Sequence, residues 1–162
     1  FIGILNISGL AFGMTLQLLA ITGESLALML AVTAVMAILL GLGLPTVGVY
    51  IIMATLIAPA LVKVGVTPMA AHMFLLYFGI MSMVTPPVAL SAFAAANIAG
   101  SDVDKTGWTA TRIGWAAYIV PFLFALSPSL LMQGHPLTIA WAVLTASIGI
   151  WLGTIGVAFQ ES

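Results

Sequence analysis

Residues 25–62 decide the fold, and they read SLALMLAVTAVMAILLGLGLPTVGVYIIMATLIAPALV. Two apolar runs, 25–40 and 47–62, flank the segment Gly41–Thr46, which contains two glycines and a proline. Each run holds about 16 residues, or about 24 Å of helix, which is shorter than the roughly 30 Å hydrocarbon core of a bilayer. Proline removes a backbone donor and interrupts a helix. The stretch therefore predicts two short helices with a break between them.

Two short apolar helices joined in this way can form one long kinked helix, or a re-entrant hairpin that enters and leaves on one side. Together they hold about 38 residues, which is too long for a single pass even when the helix is tilted. We favour the hairpin, with its tip at 41–46, over two thin spans. The alternative that glycine and proline only kink packed helices stays open, because both residues are common in membrane helices.

The whole chain shares this apolar character. Of its 162 residues 63% are hydrophobic and only 4% are charged, with three Lys and Arg and four Asp and Glu. Soluble domains are typically about 45–50% apolar and about 25% charged, so these few charges cannot provide a polar shell. The composition excludes soluble globular, disordered, coiled-coil and nucleic-acid-binding proteins. It predicts an all-α, polytopic membrane helical bundle.

The few charges divide the chain into long uncharged stretches. About 38 uncharged residues separate Glu24 from Lys63 and Lys63 from Asp102, and about 48 separate Arg112 from Glu161. A spanning helix needs about 20 apolar residues, so each stretch can hold two passes, or one pass and a broken element. We expect the chain, 1–162, to be the C-terminal part of one membrane domain. Its predicted segments are a span at 1–22, the hairpin at 25–62, a broken helix at 69–99 with its break at 83–87, and spans at 107–126 and 137–159.

The break at Met83–Pro87 is the second interruption in adjacent elements. Thr85 suits a helix N-cap and Pro86 suits the first helical position, so we expect one helix to end near Ser82–Val84 and the next to start near Pro86. In lipid, irregular backbone survives only where it is buried in protein or lines a wet cavity. Paired interrupted helices therefore indicate a transporter binding site.

The helix ends at the two breaks carry opposite partial charges. Terminal carbonyls suit a bare cation, and the first amides of a helix suit a carboxylate. Oxygen ligands without a fixed carboxylate fit Na⁺ better than a transition metal. The predicted cation-binding residues are Gly41, Gly43, Thr46, Ser82 and Thr85. The predicted substrate-binding residues are Pro45, Thr46, Pro86, Pro87 and Val88.

Two ionisable residues in apolar surroundings have alternative roles. Glu24 follows a glycine, so we favour a membrane-surface loop over an intramembrane proton or cation site. His72 lies one turn after Pro68, and we favour a structural role over a proton relay.

The sequence carries no reactive constellation of an enzyme. It has no cysteine, no H-E-x-x-H zinc motif and no G-x-S-x-G nucleophile turn. We therefore interpret the chain as a non-enzyme that uses no cofactor and no metal beyond a coupling sodium ion. An ion channel and a structural membrane-assembly module stay as alternative functions.

Short motifs keep the order and spacing of a known family over about residues 1–132. They are Gly41–Thr46, Tyr50, Ala58–Leu61, Ala70–Phe74, Tyr77 and Phe78, Thr85–Leu90, Ala94–Ala96, Ile98–Gly100, Lys105–Trp108 and Ile119–Phe122. Through them the sequence resembles the tripartite ATP-independent periplasmic (TRAP) transporters. Within that family it resembles the fused permeases, in which the small and the large membrane subunit form one chain.

The resemblance implies the second inverted repeat of an elevator-type carrier, with Gly41–Thr46 as its hairpin tip and Thr85–Val88 as the break of the following helix. It implies a multi-pass permease of the inner membrane that imports an organic acid anion by sodium symport. Its expected partners are a periplasmic solute-binding protein of the TAXI class and membrane lipid, but no nucleic acid. Large subunits of the family often carry an acidic residue near the tip, where this sequence is uncharged, so no carboxylate ligand is carried over.

Overall fold

The computed structural model describes residues 8–23 and 25–159, and this part of the chain is helical without any strand. A 3₁₀ turn, Pro128–Leu131, joins the last two helices. The helices run in chain order as α1 (Leu10–Thr22), α2 (Leu26–Gly41), α3 (Thr46–Leu56), α4 (Ala58–Lys63), α5 (Pro68–Met81), α6 (Leu90–Ala99), α7 (Val103–Ile113), α8 (Trp115–Leu126) and α9 (Pro136–Phe159). An all-α bundle is thus confirmed.

The first segment contains α1, which covers the second half of the span expected at 1–22. Residues 1–7 lie outside the described part of the chain, and so does Glu24, on which the choice between a surface loop and an intramembrane acid depends. Within α1 the Thr15 and Thr22 hydroxyls donate to Ala11 O and Leu18 O, at 2.8 and 2.7 Å. Both threonines therefore satisfy their polar groups inside their own helix.

The hairpin has α2 as its first arm and α3 with α4 as its second, and the chain leaves the helix between Gly41 and Thr46. α2 and α3 both pack against α5. Gly41 at the end of α2 lies against Ser82, whereas a Cβ on Gly79 would come within 3.6 Å of Val49 in α3. The second arm is interrupted at Ile57, which the sequence did not predict; Pro59 supplies no amide hydrogen for the helical ladder there.

The broken helix consists of α5 and α6, with non-helical residues from Ser82 to Ala89. The predicted start of the second half near Pro86 is wrong, since α6 begins at Leu90 and its N-cap is Ala89 at φ 33°. Thr85 does not act as an N-cap either: its hydroxyl donates backwards to Met81 O. Pro86 and Pro87 supply no amide hydrogens, so the helical ladder cannot resume at this point.

The expected span at 107–126 is two helices, α7 and α8, bent by 40° at Gly114. The helix starts earlier than predicted because Asp102 caps it, with Lys105 N donating to Asp102 Oδ1 at 2.8 Å. An aspartate at this position satisfies an orphan amide of the first turn. Trp108 therefore lies in the amphipathic α7 and not in the apolar α8.

The core of the described region is centred on α5, which packs against α2, α3 and α8. Phe74 and Phe78 of α5 are buried, and the Phe122 ring of α8 meets them with centroids 5.3 and 5.6 Å away. By length and composition, one helix of the described part could cross a membrane, Pro136–Val157, or two if the bent pair α7–α8 counts as one span. The remaining apolar helices are shorter, which is expected of half-helices but not of complete spans.

Candidate functional site

The two breaks lie against each other. Gly41 is buried at the end of α2, and a Cβ placed on it would overlap both side-chain atoms of Ser82, the first residue of the second break. The same Cβ would lie 3.5 Å from the carbonyl oxygen of Gly79. Only a glycine permits this approach. The structure therefore brings together Gly41 and Ser82, two residues of the predicted cation site.

The hydroxyls of the second break are already engaged. Ser82, which is 2% exposed, donates from Oγ to Gly79 O at 2.6 Å. Thr85 Oγ1 bonds to Met81 O and to Tyr118 Oη, the latter at 2.6 Å. A carbonyl only accepts and a hydroxyl has one hydrogen. Thr85 must therefore donate to Met81 O, and Tyr118 must donate to Thr85.

The last carbonyls of α5 are also engaged, by groups of the residues that follow the helix. Ser82 N donates to Phe78 O at 3.2 Å, Met83 N to Ile80 O at 3.0 Å and Val84 N to Met81 O at 3.1 Å. With the hydroxyl bond to Gly79 O, each of the four terminal carbonyls has a partner. A cation at this helix end would have to share or displace one of these bonds.

The first break differs, because three of its carbonyls accept no hydrogen bond from the described residues. Leu42 N donates to Leu39 O at 3.3 Å, but among the described residues no hydrogen bond reaches the carbonyls of Gly41, Leu42 or Gly43. Pro45 contributes to this, since it has no amide hydrogen to donate back. The free acceptors that suit a cation thus lie at the hairpin tip.

Gly43 and Thr46 also lie on this tip. Gly43 has open space around it, and Thr46 is half-buried at the start of α3. In the described part of the chain no hydrogen bond joins either residue to residues 82–89. Of the five predicted cation residues the structure therefore pairs only Gly41 with Ser82, while Thr85 bonds to Tyr118, which was not predicted.

The predicted substrate residues are more accessible. Pro45 and Pro87 are exposed, and Thr46, Pro86 and Val88 are half-buried. Two backbone hydrogen bonds shape the loop that carries residues 86–88. Ala89 N donates to Thr85 O at 3.2 Å, and Ser91 N donates to Met83 O at 3.0 Å. The amides of the first turn of α3, which begins at Thr46, point beyond the helix as those of any helix start do.

A wall of α7 and α8 supports the second break, and the sequence reasoning missed all three of its residues. Gly107 lets α7 approach closely, since a Cβ there would lie 3.1 Å from Phe93 and 3.4 Å from Pro86. Thr111 donates to Val84 O at 3.2 Å, and Tyr118 donates to Thr85. Gly107 and Thr111 are four residues apart, and this spacing indicates that they lie on the same face of α7.

His72 and Lys63 have partners outside the two breaks. His72 Nδ1 is 3.1 Å from Tyr50 Oη, a bond that ties α5 to α3. Lys63 Nζ lies 5.4 Å from the centre of the Phe12 ring. Over the described ranges no three His, Cys, Asp or Glu side chains gather into a metal-binding group. The polar atoms at the breaks are accordingly main-chain carbonyls, amides and neutral hydroxyls.

Comparison with known proteins gives one match. The family described as "Tripartite ATP-independent periplasmic transporter, DctM component" matches residues 1–138. No curated protein and no solved structure matches the chain. The match includes both breaks and the α7–α8 wall, and it ends near the start of α9.

Proposed function

The chain belongs to the DctM component family of the tripartite ATP-independent periplasmic transporters, and from that premise we propose that it couples Na⁺ to the uptake of an organic acid anion. The family is one of transporter permeases of the inner membrane and not of enzymes. Permeases of this family work with a periplasmic solute-binding protein and a small DctQ component. The proposal adds the coupling ion, the substrate class and a binding protein of the TAXI class.

The observation that carries the sodium proposal is the contact of Gly41 with Ser82 beside a tip where three carbonyls, those of residues 41–43, accept no hydrogen bond from the described residues. Neutral carbonyl and hydroxyl oxygens are hard ligands, which favour Na⁺ over transition metals. The proposed ligands are carbonyls of Gly41 and Gly43 and hydroxyls of Thr46, Ser82 and Thr85. The partial negative charge at the end of α2 adds to the attraction.

The substrate proposal rests on the opposite helix ends. The first turn of α3, which begins at Thr46, presents amides with partial positive charge, and these favour a carboxylate. Pro45 and Thr46 on the tip and Pro86, Pro87 and Val88 on the second break would line the space next to the cation. A carboxylate bound there would attract the neighbouring Na⁺ electrostatically, so each ligand would raise the affinity for the other.

Thermal unfolding of the purified full-length permease tests the cation. We expect NaCl to raise the melting temperature above that in KCl or choline chloride at equal ionic strength, because a ligand that binds only the folded state stabilises it. The double variant Ser82→Ala, Thr85→Val should remove the difference between the salts. Equal melting temperatures in the three salts for the unsubstituted protein would refute sodium binding.

Uptake tests the substrate class. Proteoliposomes with the full-length permease and its binding protein should accumulate radiolabelled mono- or dicarboxylates when an inward Na⁺ gradient is imposed. Neutral sugars serve as the control solutes, since they lack the carboxylate that the helix amides would bind. Accumulation that persists after Na⁺ is replaced by K⁺ would refute the coupling.

A further inference from the structure

Tyr118 makes the one side-chain bond from α8 to the second break within the described residues. Its hydroxyl lies 2.6 Å from Thr85 Oγ1, and the direction of donation is fixed because the Thr85 hydrogen is committed to Met81 O. The Thr85 oxygen therefore already donates one hydrogen bond and accepts another. It has a single lone pair left for any further ligand.

A cation and a phenol hydrogen draw on the same electron density of that oxygen. When Thr85 Oγ1 binds a cation it becomes a poorer acceptor, and the phenol hydrogen, which carries partial positive charge, is repelled by the ion. Both interactions cannot be at full strength together. Resting on the proposed function, we propose that Tyr118 competes with the coupling cation for the Thr85 oxygen, so that cation binding releases the second break from α8.

The surroundings of Tyr118 allow this exchange to stay local. One turn further along α8, the Phe122 ring is held between Phe74 and Phe78 of α5. One turn before Tyr118, the helix bends at Gly114. The half-buried phenol thus sits between a packed end of α8 and a bent end. Loss of its bond to Thr85 frees the bent end without unpacking the aromatic cluster.

Linkage sets the sign of the effect. A bond made only in the ion-free state opposes ion binding by its own strength, so its removal must raise the affinity for the ion. Net hydrogen-bond contributions of about 0.5–1.5 kcal/mol correspond to about 3- to 10-fold in affinity. The Tyr118→Phe variant of the full-length permease should therefore bind Na⁺ about 3- to 10-fold more tightly, measured by Na⁺ titration of the melting temperature.

The matched control is Tyr50→Phe, which removes the phenol of another interhelical bond, to His72. Its Na⁺ affinity should equal that of the unsubstituted protein. An unchanged affinity in Tyr118→Phe, with a lower melting temperature in every salt, would reduce Tyr118 to a structural contact. A lowered affinity would make it a ligand. Either result overturns the proposal.

A second measurement needs no substitution, in case Tyr118→Phe does not fold. The infrared difference spectrum of the unsubstituted permease in NaCl and KCl should contain a tyrosine C–O band, because one phenol loses its acceptor. A difference spectrum without such a band overturns the competition. If the unsubstituted protein shows no Na⁺-dependent stabilisation at all, the proposed function itself fails, so the two failures can be told apart.

Discussion

The two breaks touch at Gly41 and Ser82, yet they satisfy their backbones differently. The second break is largely closed: amides and the hydroxyls of Ser82, Thr85 and Thr111 occupy the carbonyls from Phe78 to Thr85, except that of Ser82. At the first break the carbonyls of Gly41, Leu42 and Gly43 accept no hydrogen bond from the part of the chain that is described. Two adjacent helix breaks can therefore differ: in a closed break the carbonyls accept hydrogen bonds from the protein, and in an open break they do not.

The residue types explain the difference. Ser82 and Thr85 follow their acceptors Gly79 and Met81 by three and four residues, and at this spacing a hydroxyl reaches back to a carbonyl. At the first break, Leu44 and Pro45 stand three and four residues after Gly41, and neither has a hydroxyl. Thr46 follows Leu42 by four residues and Gly43 by three, but among the described residues its hydroxyl bonds neither carbonyl. An open break provides free oxygens that can bind a cation, whereas at a closed break a cation must first displace an existing hydrogen bond.

Substitution of Gly41 should have the largest effect, because it separates the breaks. In Gly41→Ala the new methyl group overlaps the buried Ser82 side chain, and such overpacking should lower the free energy of unfolding by about 3 kcal/mol. Denaturant titration of the full-length permease in mixed micelles measures the change. The added methyl group of Gly43→Ala meets nothing within 4 Å, so it should cost less than about 0.5 kcal/mol.

The double variant Gly41→Ala, Ser82→Gly provides the check on this explanation. It removes the atoms that the new methyl group would meet, so it should recover most of the lost stability relative to Ser82→Gly alone. Additive losses in the double variant would show that Gly41 acts through its backbone and not through contact with the second break.

The next largest effect on stability should come from Thr85, when its substitution is compared with that of Thr46. Thr85→Val removes a hydroxyl with two partners and leaves the Tyr118 hydroxyl without an acceptor, so it should cost about 2 kcal/mol. Thr46→Val removes a hydroxyl that has no hydrogen bond to another described residue and should cost less than about 0.5 kcal/mol. Both are measured in KCl, so that sodium binding does not contribute. Equal costs would contradict the contrast between a closed and an open break.

The sequence predicted where both breaks begin, because glycine and proline act locally. Gly41 ends α2 and Ser82 follows the last residue of α5, close to the positions that Gly41–Thr46 and Ser82–Val84 indicated. It did not predict where the second break ends. The Thr85 hydroxyl can cap the helix that follows it or bond the carbonyl that precedes it, and a sequence pattern does not distinguish these two bonds.

The sequence did not predict the α7–α8 wall, for a different reason. Gly107, Thr111 and Tyr118 belong to a segment that was predicted to be a single span, and their partners lie 14 to 33 residues earlier in the chain. Hydrophobic periodicity reports which face of a helix is apolar, not which distant carbonyl that face meets. The 40° bend at Gly114 also changes the register between the two halves of the segment.

The wall itself supplies the smallest of the predicted effects. Thr111 donates to Val84 O at 3.2 Å and also to Gly107 O at 3.1 Å within its own helix. Thr111→Val should therefore cost about 1 kcal/mol, since it leaves the Val84 carbonyl without its partner but removes only a shared hydrogen bond. Thr109→Val is the matched control on α7: Thr109 is exposed, and none of the described residues bonds its hydroxyl. If both substitutions cost the same in micelle unfolding, the second break holds its closed form without the Thr111 bond, and the contact of Gly107 with Pro86 and the bond of Tyr118 to Thr85 would support it.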